Sequence, residues 1–411
     1  MFLYIDPGTG SMLFSILIGV VSTVFFFGRQ LYLKLKFIIS GGKTEKLSNT
    51  KLPVVIFSDH KRYWNVFKPI CEELEKRNID AVYWTASPDD PALTQNYNHV
   101  KCEFIGEGNK SFSRLNMLNA GIVLATTPGL NVYQWKKSKN VQLYVHVFHE
   151  VGEPMGYRMF GLDFYDSVLL SGDFQANYIR YIEEKRNLPA KELTTVGCTY
   201  FDEIKTRLEQ NTKSKNQSNS KTVLLAPSWG STAILSRYGE KIIKALVDTD
   251  FNIIIRPHPQ SKTSEKELLD SLMNKYPETE LLHWNFDNDN FDVLNESDIL
   301  ISDFSGVIFD FALCFDKPII YADINYDSSP YDAAWMEEEL WRFKVLPDLG
   351  IQLKESDFSN LKQIIENLIS NEKYSSGRER IRKEAWSNQG KAASAIVDYL
   401  QNKLSEIYGE K

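Results

Sequence analysis

The sequence predicts an α/β protein in which two Rossmann-like domains face a cleft, with a membrane helix at the amino terminus. Short apolar runs alternate with helical patterns on both sides of a polar segment, residues 210–220, and an uncharged run precedes them all. Strands that alternate with helices form parallel, doubly wound sheets, and such sheets bind ligands at the carboxyl ends of their strands. With 411 residues, the chain is long enough for two such domains.

Composition restricts the class of protein. The chain is 43% hydrophobic and 25% charged, which supports a folded core and argues against general disorder. The net charge is -7 and the sequence has no dominant cluster of basic residues, so no nucleic-acid partner is expected. Cys71, Cys102, Cys198 and Cys314 form no CxxC pair and no zinc-like spacing with histidine. We therefore expect reduced thiols and a cytoplasmic body.

The uncharged run from Met12 to Phe27 predicts the membrane helix. A spanning helix needs about 20 apolar residues. Asp6 precedes the run, whereas Arg29 and Lys34 follow it, which is the reverse of the charge pattern of a cleaved signal peptide. Because basic residues mark the cytoplasmic flank, the sequence predicts a single anchor in the cell membrane with the catalytic domains in the cytoplasm. The run is short, so a re-entrant or interfacial helix stays open as an alternative.

Apolar runs give the predicted strands. In the first half these are residues 54–57, 81–84, 122–125, 142–147 and 167–170, and in the second half 223–226, 251–256, 299–302 and 318–322. Between the halves, residues 210–220 include no aliphatic or aromatic side chain, which is typical of a linker. The predicted organisation is an anchor with a basic segment (1–50), a first Rossmann-like domain (51–209), a linker (210–220), a second Rossmann-like domain (221–375) and C-terminal helices (376–411).

The segment ILISDFSGVIFDFALCFDKPIIY, residues 299–321, contains the first candidate site. A strand ends at Ser302, a tight turn holds Asp303 and Ser305, and a helix is predicted to begin at Ser305 or Gly306. Free backbone N–H groups at the start of a helix attract phosphate, and glycine lets an anion approach closely. These four residues are candidate phosphate ligands. The alternative is that Asp303 or Ser305 only caps the helix, and Asp310 is expected on a helix face.

Two further segments carry histidines near strand ends. In NIIIRPHPQSK, residues 252–262, prolines hold Arg256 and His258 at the end of a strand, where both side chains suit a phosphate. A histidine merely ordered in a loop remains the alternative. In QLYVHVFHEVGEPMGY, residues 142–157, His149 lies nearer the strand end and is the candidate general base, whereas His146 is expected in or behind the sheet. The HxxHE spacing does not fit a helical zinc motif, so no metal is expected.

Weaker signals stand in two other loops. The run LLAPSWG ends in Pro227, Ser228 and Trp229, which are expected to border a nucleotide, although Trp229 fits a core position equally well. The run SDHKRYWN, residues 58–65, follows the first strand of the first domain. Its basic residues 60–62 suit a phosphate-rich acceptor or an anionic membrane surface, and a solvated charged turn is an equal alternative.

Taken in order, these segments resemble the CDP-glycerol glycerophosphotransferase family, over most of residues 50–370. ISDFSGVIFDFALCFDKPIIY is similar to the family's SDYSS-type segment with its FDF helix and KPI strand, IIIRPHPQ to its HP segment, and LLAPSWG to its APT-W segment. The sequence also departs from the pattern. FHEVGEP stands where members often carry a WHG-type segment, Gly306 replaces the second serine of SDYSS, and GCTYFD retains only Gly197 and Asp202 of GxPRxD.

The resemblance implies a GT-B fold and transfer of glycerol phosphate, or a related polyol phosphate, from CDP-glycerol to a lipid-linked glycan acceptor at the membrane, with CMP leaving and no cofactor. The first domain would bind the acceptor and the second the nucleotide. His149 would take the acceptor proton, while Arg256, His258 and the Ser305/Gly306 turn would stabilise phosphate charge. A nucleotide-sugar glycosyltransferase for capsule or surface polysaccharide, or a non-enzymatic membrane-bound glycan-binding protein, remain alternatives.

Overall fold

The first half of the chain folds around a parallel sheet with strand order β3-β2-β1-β4-β5-β6-β7. Its interior strands are apolar runs with almost no exposed surface, as in Val54–Phe57, because helices cover both faces of a parallel sheet. The strands are Leu52–Ser58 (β1), Ala81–Thr85 (β2), Val100–Phe104 (β3), Asn119–Ala125 (β4), Asn140–Val147 (β5), Ser167–Leu170 (β6) and Glu192–Thr195 (β7).

The second half repeats this plan in a sheet with strand order β10-β9-β8-β11-β12-β13, again parallel throughout. β-branched residues dominate its interior, as in the run Ile253–Ile255. The strands are Thr222–Leu225 (β8), Asn252–Ile255 (β9), Leu282–Trp284 (β10), Ile299–Ser302 (β11), Ile319–Ala322 (β12) and Gly350–Leu353 (β13).

Helices connect these strands and cover the sheets. In chain order they are Trp64–Lys76 (α1), Asn109–Asn116 (α2), Phe174–Lys185 (α3), Thr199–Gln210 (α4), Ile234–Val247 (α5), Ser261–Ser264 (α6), Lys266–Lys275 (α7), Phe291–Glu296 (α8), Val307–Phe309 (α9), Trp341–Lys344 (α10), Leu346–Leu349 (α11), Leu361–Ile369 (α12), Ser375–Ala385 (α13) and Ala392–Tyr408 (α14). A π-helical turn, Asp310–Cys314, directly follows α9.

The computed structural model describes residues 28, 51–211, 220–323 and 326–409, and Leu52–Lys411 forms one compact unit. The helix predicted at residues 12–27 and most of the predicted linker lie outside the described residues. Within the described ranges, no helix combines the length and the apolar character that crossing a bilayer requires. The predicted domain boundaries remain a prediction.

Both sheets reverse their strand order at one point, between β1 and β4 in the first and between β8 and β11 in the second. At such a point the loops that leave neighbouring strands diverge to opposite faces, which opens a crevice at the carboxyl ends. The chain leaves these strands at Asp59, Thr126, Ala226 and Asp303. The fold therefore brings four loops with polar side chains to the two crevices.

The segment between β12 and β13 leaves the second sheet and contacts the first domain. Arg342 in α10 is buried against Glu153, whose carboxylate accepts from the Arg342 backbone N–H at 3.0 Å and forms an ion pair with its guanidinium. Burial by itself lowers the pKa of Arg342, but the charges of Glu153 and Glu150 outweigh burial and raise that pKa above its usual value. Asp332 similarly accepts from the backbone N–H groups of Phe160 and Gly161.

The carboxyl-terminal helix returns to the first domain. Ile396, Val397 and Leu400 of α14 are buried in the core beneath the first sheet. Asp202 directs this return, because its carboxylate accepts from the backbone N–H groups of Gly390 and Ala392 at 2.7 and 2.9 Å. The start of α14 is thus fixed to α4 of the first domain.

The structure confirms the runs of the interior strands and adds four strands that the apolar pattern did not predict, β3, β7, β10 and β13, each at a sheet edge. The helix predicted from Val307 to Phe315 is divided into α9 and the π-helical turn. All four cysteines are free thiols, and Cys71 and Cys198 are buried in the core.

We predict that Glu153→Ala lowers the free energy of unfolding by about 3–5 kcal/mol, because the buried Arg342 charge loses its hydrogen-bonded partner and keeps only Glu150, 3.8 Å away. Chemical denaturation of the full chain measures the change. The matched control is Glu337→Ala, which removes an exposed pair with Lys185 and should change the free energy of unfolding far less. If both variants lose the same free energy of unfolding, the buried pair does not stabilise the fold more than the exposed pair, and the prediction is wrong.

Candidate active site

A cleft with a volume of about 670 Å³ lies where the carboxyl ends of the two sheets approach each other. Residues from both domains line it, and both signs of charge are present. The cations are Lys61, Arg62, Arg256 and Lys262, and the anions are Glu150, Asp287, Asp289 and Asp310. The cleft is therefore suited to a ligand that combines negative phosphate groups with polar hydroxyl groups.

His149 lies on the first-domain wall of the cleft. Its Nδ1 is 3.0 Å from the hydroxyl oxygen of Thr126, which is buried at the end of β4, and its ring packs against Tyr63 at 4.9 Å between centroids. Because Thr126 occupies Nδ1, Nε2 is the ring nitrogen left for a substrate. Burial lowers the pKa of His149 below its usual value, with the charge of Glu150 acting in the opposite direction. A neutral imidazole with a free Nε2 is the form that accepts a proton.

His258 lies on the second-domain wall and has a different hydrogen-bond pattern. The backbone N–H of Gln260 donates to its Nδ1 at 3.1 Å. Since a backbone N–H only donates, Nδ1 carries no proton and the neutral ring holds its proton on Nε2. Burial, assisted by the charge of Arg62, lowers the pKa of His258 to about 4. Near neutral pH His258 is therefore a hydrogen-bond donor and not a base.

Arg256 also lines the second-domain wall, and its guanidinium orders the loop after β10. It donates to the side-chain oxygen of Asn285 and, at 2.8 Å, to the backbone carbonyl of Asp287. Burial lowers the pKa of Arg256 from its usual value. A guanidinium has five N–H donors, so this loop contact leaves donors for an anion in the cleft.

Ser305 and Gly306, which precede α9, face the same cleft. A Cβ at Gly306 would lie 2.3 Å from a carboxylate oxygen of Glu150, so the absence of a side chain at position 306 makes room for Glu150. Glu150 is also 3.8 Å from the Arg342 guanidinium. The Glu150 carboxylate thus lies between the Arg342 guanidinium and the turn that precedes α9.

Three predicted ligands point into the protein instead. The hydroxyl of Ser302 is buried and donates to the carbonyl of Ala226 at 2.6 Å. The Asp303 carboxylate, 2% exposed, accepts from the N–H and hydroxyl of Ser228 and from the N–H of Ile234. Parallel strand ends need such side chains because their last backbone groups lack ladder partners. The side chains of Ser302, Asp303 and Ser228 therefore organise the loops, and their predicted contact with a ligand remains a prediction.

Of the remaining predicted residues, some line the cleft and one is buried in the first sheet. Pro227 lines the cleft, while the ring of Trp229 lies 6.3 Å from that of His258. His146 is buried in the sheet, as strand alternation predicted, and its Nε2 is 3.0 Å from the hydroxyl of Tyr157. Across the parts of the chain that the structure describes, no group of three or more His, Cys, Asp or Glu side chains is arranged to hold a metal ion.

The cleft contains a polar cluster that the sequence analysis missed. The Tyr200 hydroxyl lies 3.1 Å from the side-chain oxygen of Asn290 and 3.3 Å from the carboxylate of Asp310, which belongs to the π-helical turn. Burial, and then the charge of Glu150, raises the pKa of Asp310 to about 7. The sequence signal for this cluster was Asp310, a single acid in the apolar run VIFDFALCF. The π-helical turn is a second indication, because such turns are frequent at functional sites.

A family model described as CDP-glycerol:poly(glycerophosphate) glycerophosphotransferase matches residues 46–401. No curated protein gives a significant match. Similar solved structures include the wall teichoic acid polymerase TagF soaked with CDPG, with 18% identity and a TM-score of 0.55 over 93% of this chain and 98% of that one. The S. aureus MnaA–UDP structure gives 15% identity and a TM-score of 0.56 over 88% and 99%. At such identities these likenesses establish the fold, which is GT-B-like.

We predict that Asp310→Asn removes a pH dependence of stability. The folded protein holds the Asp310 proton more tightly than the unfolded chain, so this group's contribution is fully present below the ordinary aspartate pKa of about 3.9. It is lost as pH rises towards the folded value of about 7. The melting temperature of the variant minus that of the wild type should therefore increase between about pH 4 and pH 7 and then stay constant.

Asp316→Asn provides the control of opposite sign. Ion pairs with Arg378 and Arg382, working against burial, lower the pKa of Asp316. Its replacement removes stability that is present above the ordinary aspartate pKa, so this variant should melt below the wild type at neutral pH. A melting-temperature difference for Asp310→Asn that does not change with pH would contradict the prediction.

Proposed function

The chain belongs to the CDP-glycerol glycerophosphotransferase family, and we propose from this premise that it transfers glycerol phosphate or a related polyol phosphate. The donor is CDP-glycerol or a related CDP-activated compound, and the acceptor is a hydroxyl of a membrane-associated glycan or a teichoic-acid-like polymer. CMP leaves. The enzyme is thus assigned to the synthesis of a cell-wall polymer.

One observation carries the proposal: two histidines with complementary hydrogen-bonding roles line a single cleft. His149 offers Nε2 as an acceptor in the tautomer whose Nδ1–H donates to the Thr126 hydroxyl, while His258 offers an Nε2–H as a donor. Attack of a hydroxyl on a phosphate needs a base for the hydroxyl proton and donors for the negative charge on the phosphate oxygens. The opposite walls of the cleft supply one group of each kind.

In the proposed mechanism, the acceptor hydroxyl lies against His149 and its oxygen attacks the phosphorus that carries the glycerol. His149 Nε2 takes the hydroxyl proton. The bond from this phosphorus to the bridging oxygen breaks, and CMP leaves with that oxygen. His258 Nε2–H, the Arg256 guanidinium, and the hydroxyl and backbone N–H groups of Ser305 and Gly306 stabilise the charge on the phosphate. Pro227 and Trp229 border the nucleotide.

The test of the donor is a panel of CDP-glycerol, CDP-ribitol, UDP-sugars and GDP-sugars. We expect one of the two CDP-polyols to raise the melting temperature and to release CMP when an acceptor is present, because the proposed reaction breaks the bond to CMP. Thermal shift and a CMP assay measure the two effects. Release of UDP or GDP from a nucleotide sugar would instead identify a glycosyltransferase, and no turnover with any donor would favour a glycan-binding protein.

The control for the mechanism uses the histidines. His149→Ala and His258→Ala should each lower CMP release by about 100-fold or more. His99→Ala, which changes a histidine paired with the exposed Asp80 outside the cleft, should leave it unchanged. If neutral His149 is the base, wild-type kcat/KM should rise with pH through a pKa below 6.5 and then level off. Unaffected turnover in His149→Ala would exclude this residue as the base.

We further propose that the uncharged run at residues 12–27 attaches the enzyme to the membrane, with the catalytic domains in the cytoplasm. Support comes from the absence of charged residues in the run and from the basic residues that follow it. Full-length protein should remain with membranes through alkaline carbonate washing, whereas a chain that starts at Lys51 should not. Release of the full-length protein by carbonate would contradict the proposal.

A further inference from the structure

The loop after β1 carries one histidine, His60, and two cations, Lys61 and Arg62, and the surroundings of the two cations differ. Lys61 forms an ion pair with Asp89, and its backbone N–H donates to Ser87 at 3.0 Å. The guanidinium of Arg62 forms no ion pair or side-chain hydrogen bond with any residue in ranges 51–211, 220–323 and 326–409. It lies 5.2 Å from the centre of the Tyr63 ring. One cation is therefore neutralised, and the other remains available to a ligand.

Tyr63 connects Arg62 to the candidate base. The Arg62 guanidinium lies 5.2 Å from the centre of the Tyr63 ring, and the centre of the His149 ring lies 4.9 Å from the same point. The positive charge of Arg62 also contributes to the lowered pKa values of His149 and His258. Arg62 is thus close to the candidate base on its own wall and acts electrostatically on the histidine of the opposite wall.

His60 adds a hydrogen-bond donor to the same loop. The backbone N–H of Arg62 donates to His60 Nδ1 at 3.1 Å, which is the arrangement that Gln260 makes with His258. The same reasoning therefore places the proton of neutral His60 on Nε2. Burial, and then the charge of Arg62, lowers the pKa of His60, so the ring is neutral near pH 7. His60 lines the cleft, as His258 does.

We propose that the Arg62 guanidinium and the His60 Nε2–H form an anion site on the first-domain wall of the cleft, which binds a phosphate group. A guanidinium fork and a neutral N–H together match the oxygens of a phosphate. The identity of this ligand rests on the proposed phosphoryl transfer. The phosphate belongs either to the donor or to the acceptor, next to the hydroxyl that approaches His149.

Inorganic phosphate tests the site without any assumption about the donor. In full-length protein labelled with ¹⁵N-histidine, phosphate should shift the imidazole signals of His60, assigned by their loss in His60→Gln. Arg62→Ala should abolish this shift at the same phosphate concentration, and Arg62→Lys should weaken it, because lysine keeps the charge but not the fork. Lys76→Ala removes an exposed cation of the first domain that pairs with Glu73 outside the cleft, and it should preserve the shift. No shift at His60, or the same shift in Arg62→Ala, would overturn the proposal.

CDP-glycerol turnover then identifies the source of the phosphate. Arg62→Ala should lower kcat/KM for transfer by about 10- to 100-fold, against less than about 2-fold for Lys76→Ala. If the site serves the donor, slow hydrolysis of CDP-glycerol without acceptor should fall in parallel. If it serves the acceptor, hydrolysis should persist and only transfer should fall. Equal losses of kcat/KM in Arg62→Ala and in the control variant would overturn the proposed anion site. If the wild type releases no CMP but its His60 signals still shift with phosphate, only the proposed function is overturned.

Discussion

The buried ion pair between Glu153 and Arg342 is the contact on which the arrangement of the cleft depends. Glu153 follows the strand that leads to His149, while Arg342 belongs to the segment that extends from the second sheet. A buried charge is tolerated only beside its partner, so this pair specifies one relative position of the two segments. Asp332 makes similar contacts with the backbone nearby. The two walls that carry His149 and His258 are thereby held facing each other.

The sequence predicted the interior of both sheets but not their edges. An interior parallel strand is covered on both faces and flanked by two neighbours, so it is a continuous apolar run. The four strands that the pattern missed lie at the sheet edges and are short or carry polar side chains. They are Val100–Phe104, Glu192–Thr195, Leu282–Trp284 and Gly350–Leu353. Their place in the sheet follows from pairing with a neighbour, which no local pattern records.

The candidate site could be located from the sequence more readily than its residues could be assigned. A polar residue after a buried strand points to the carboxyl edge of a parallel sheet, which is how His149, His258 and Arg256 were found. The same rule also selected Ser302 and Asp303, whose side chains turn inward to satisfy backbone groups of a neighbouring loop. Whether a strand-end side chain serves a ligand or a loop depends on partners that are far away in the chain.

Gly306 and Glu150 share one small volume, because a Cβ at position 306 would lie 2.3 Å from the Glu150 carboxylate. Any side chain at 306 must displace that carboxylate, which also lies 3.8 Å from the Arg342 guanidinium. The two positions are therefore epistatic, and the order in which they change matters in evolution. A lineage that shortens residue 150 first is free to gain a hydroxyl at 306 in the cleft, whereas the reverse order passes through a crowded intermediate.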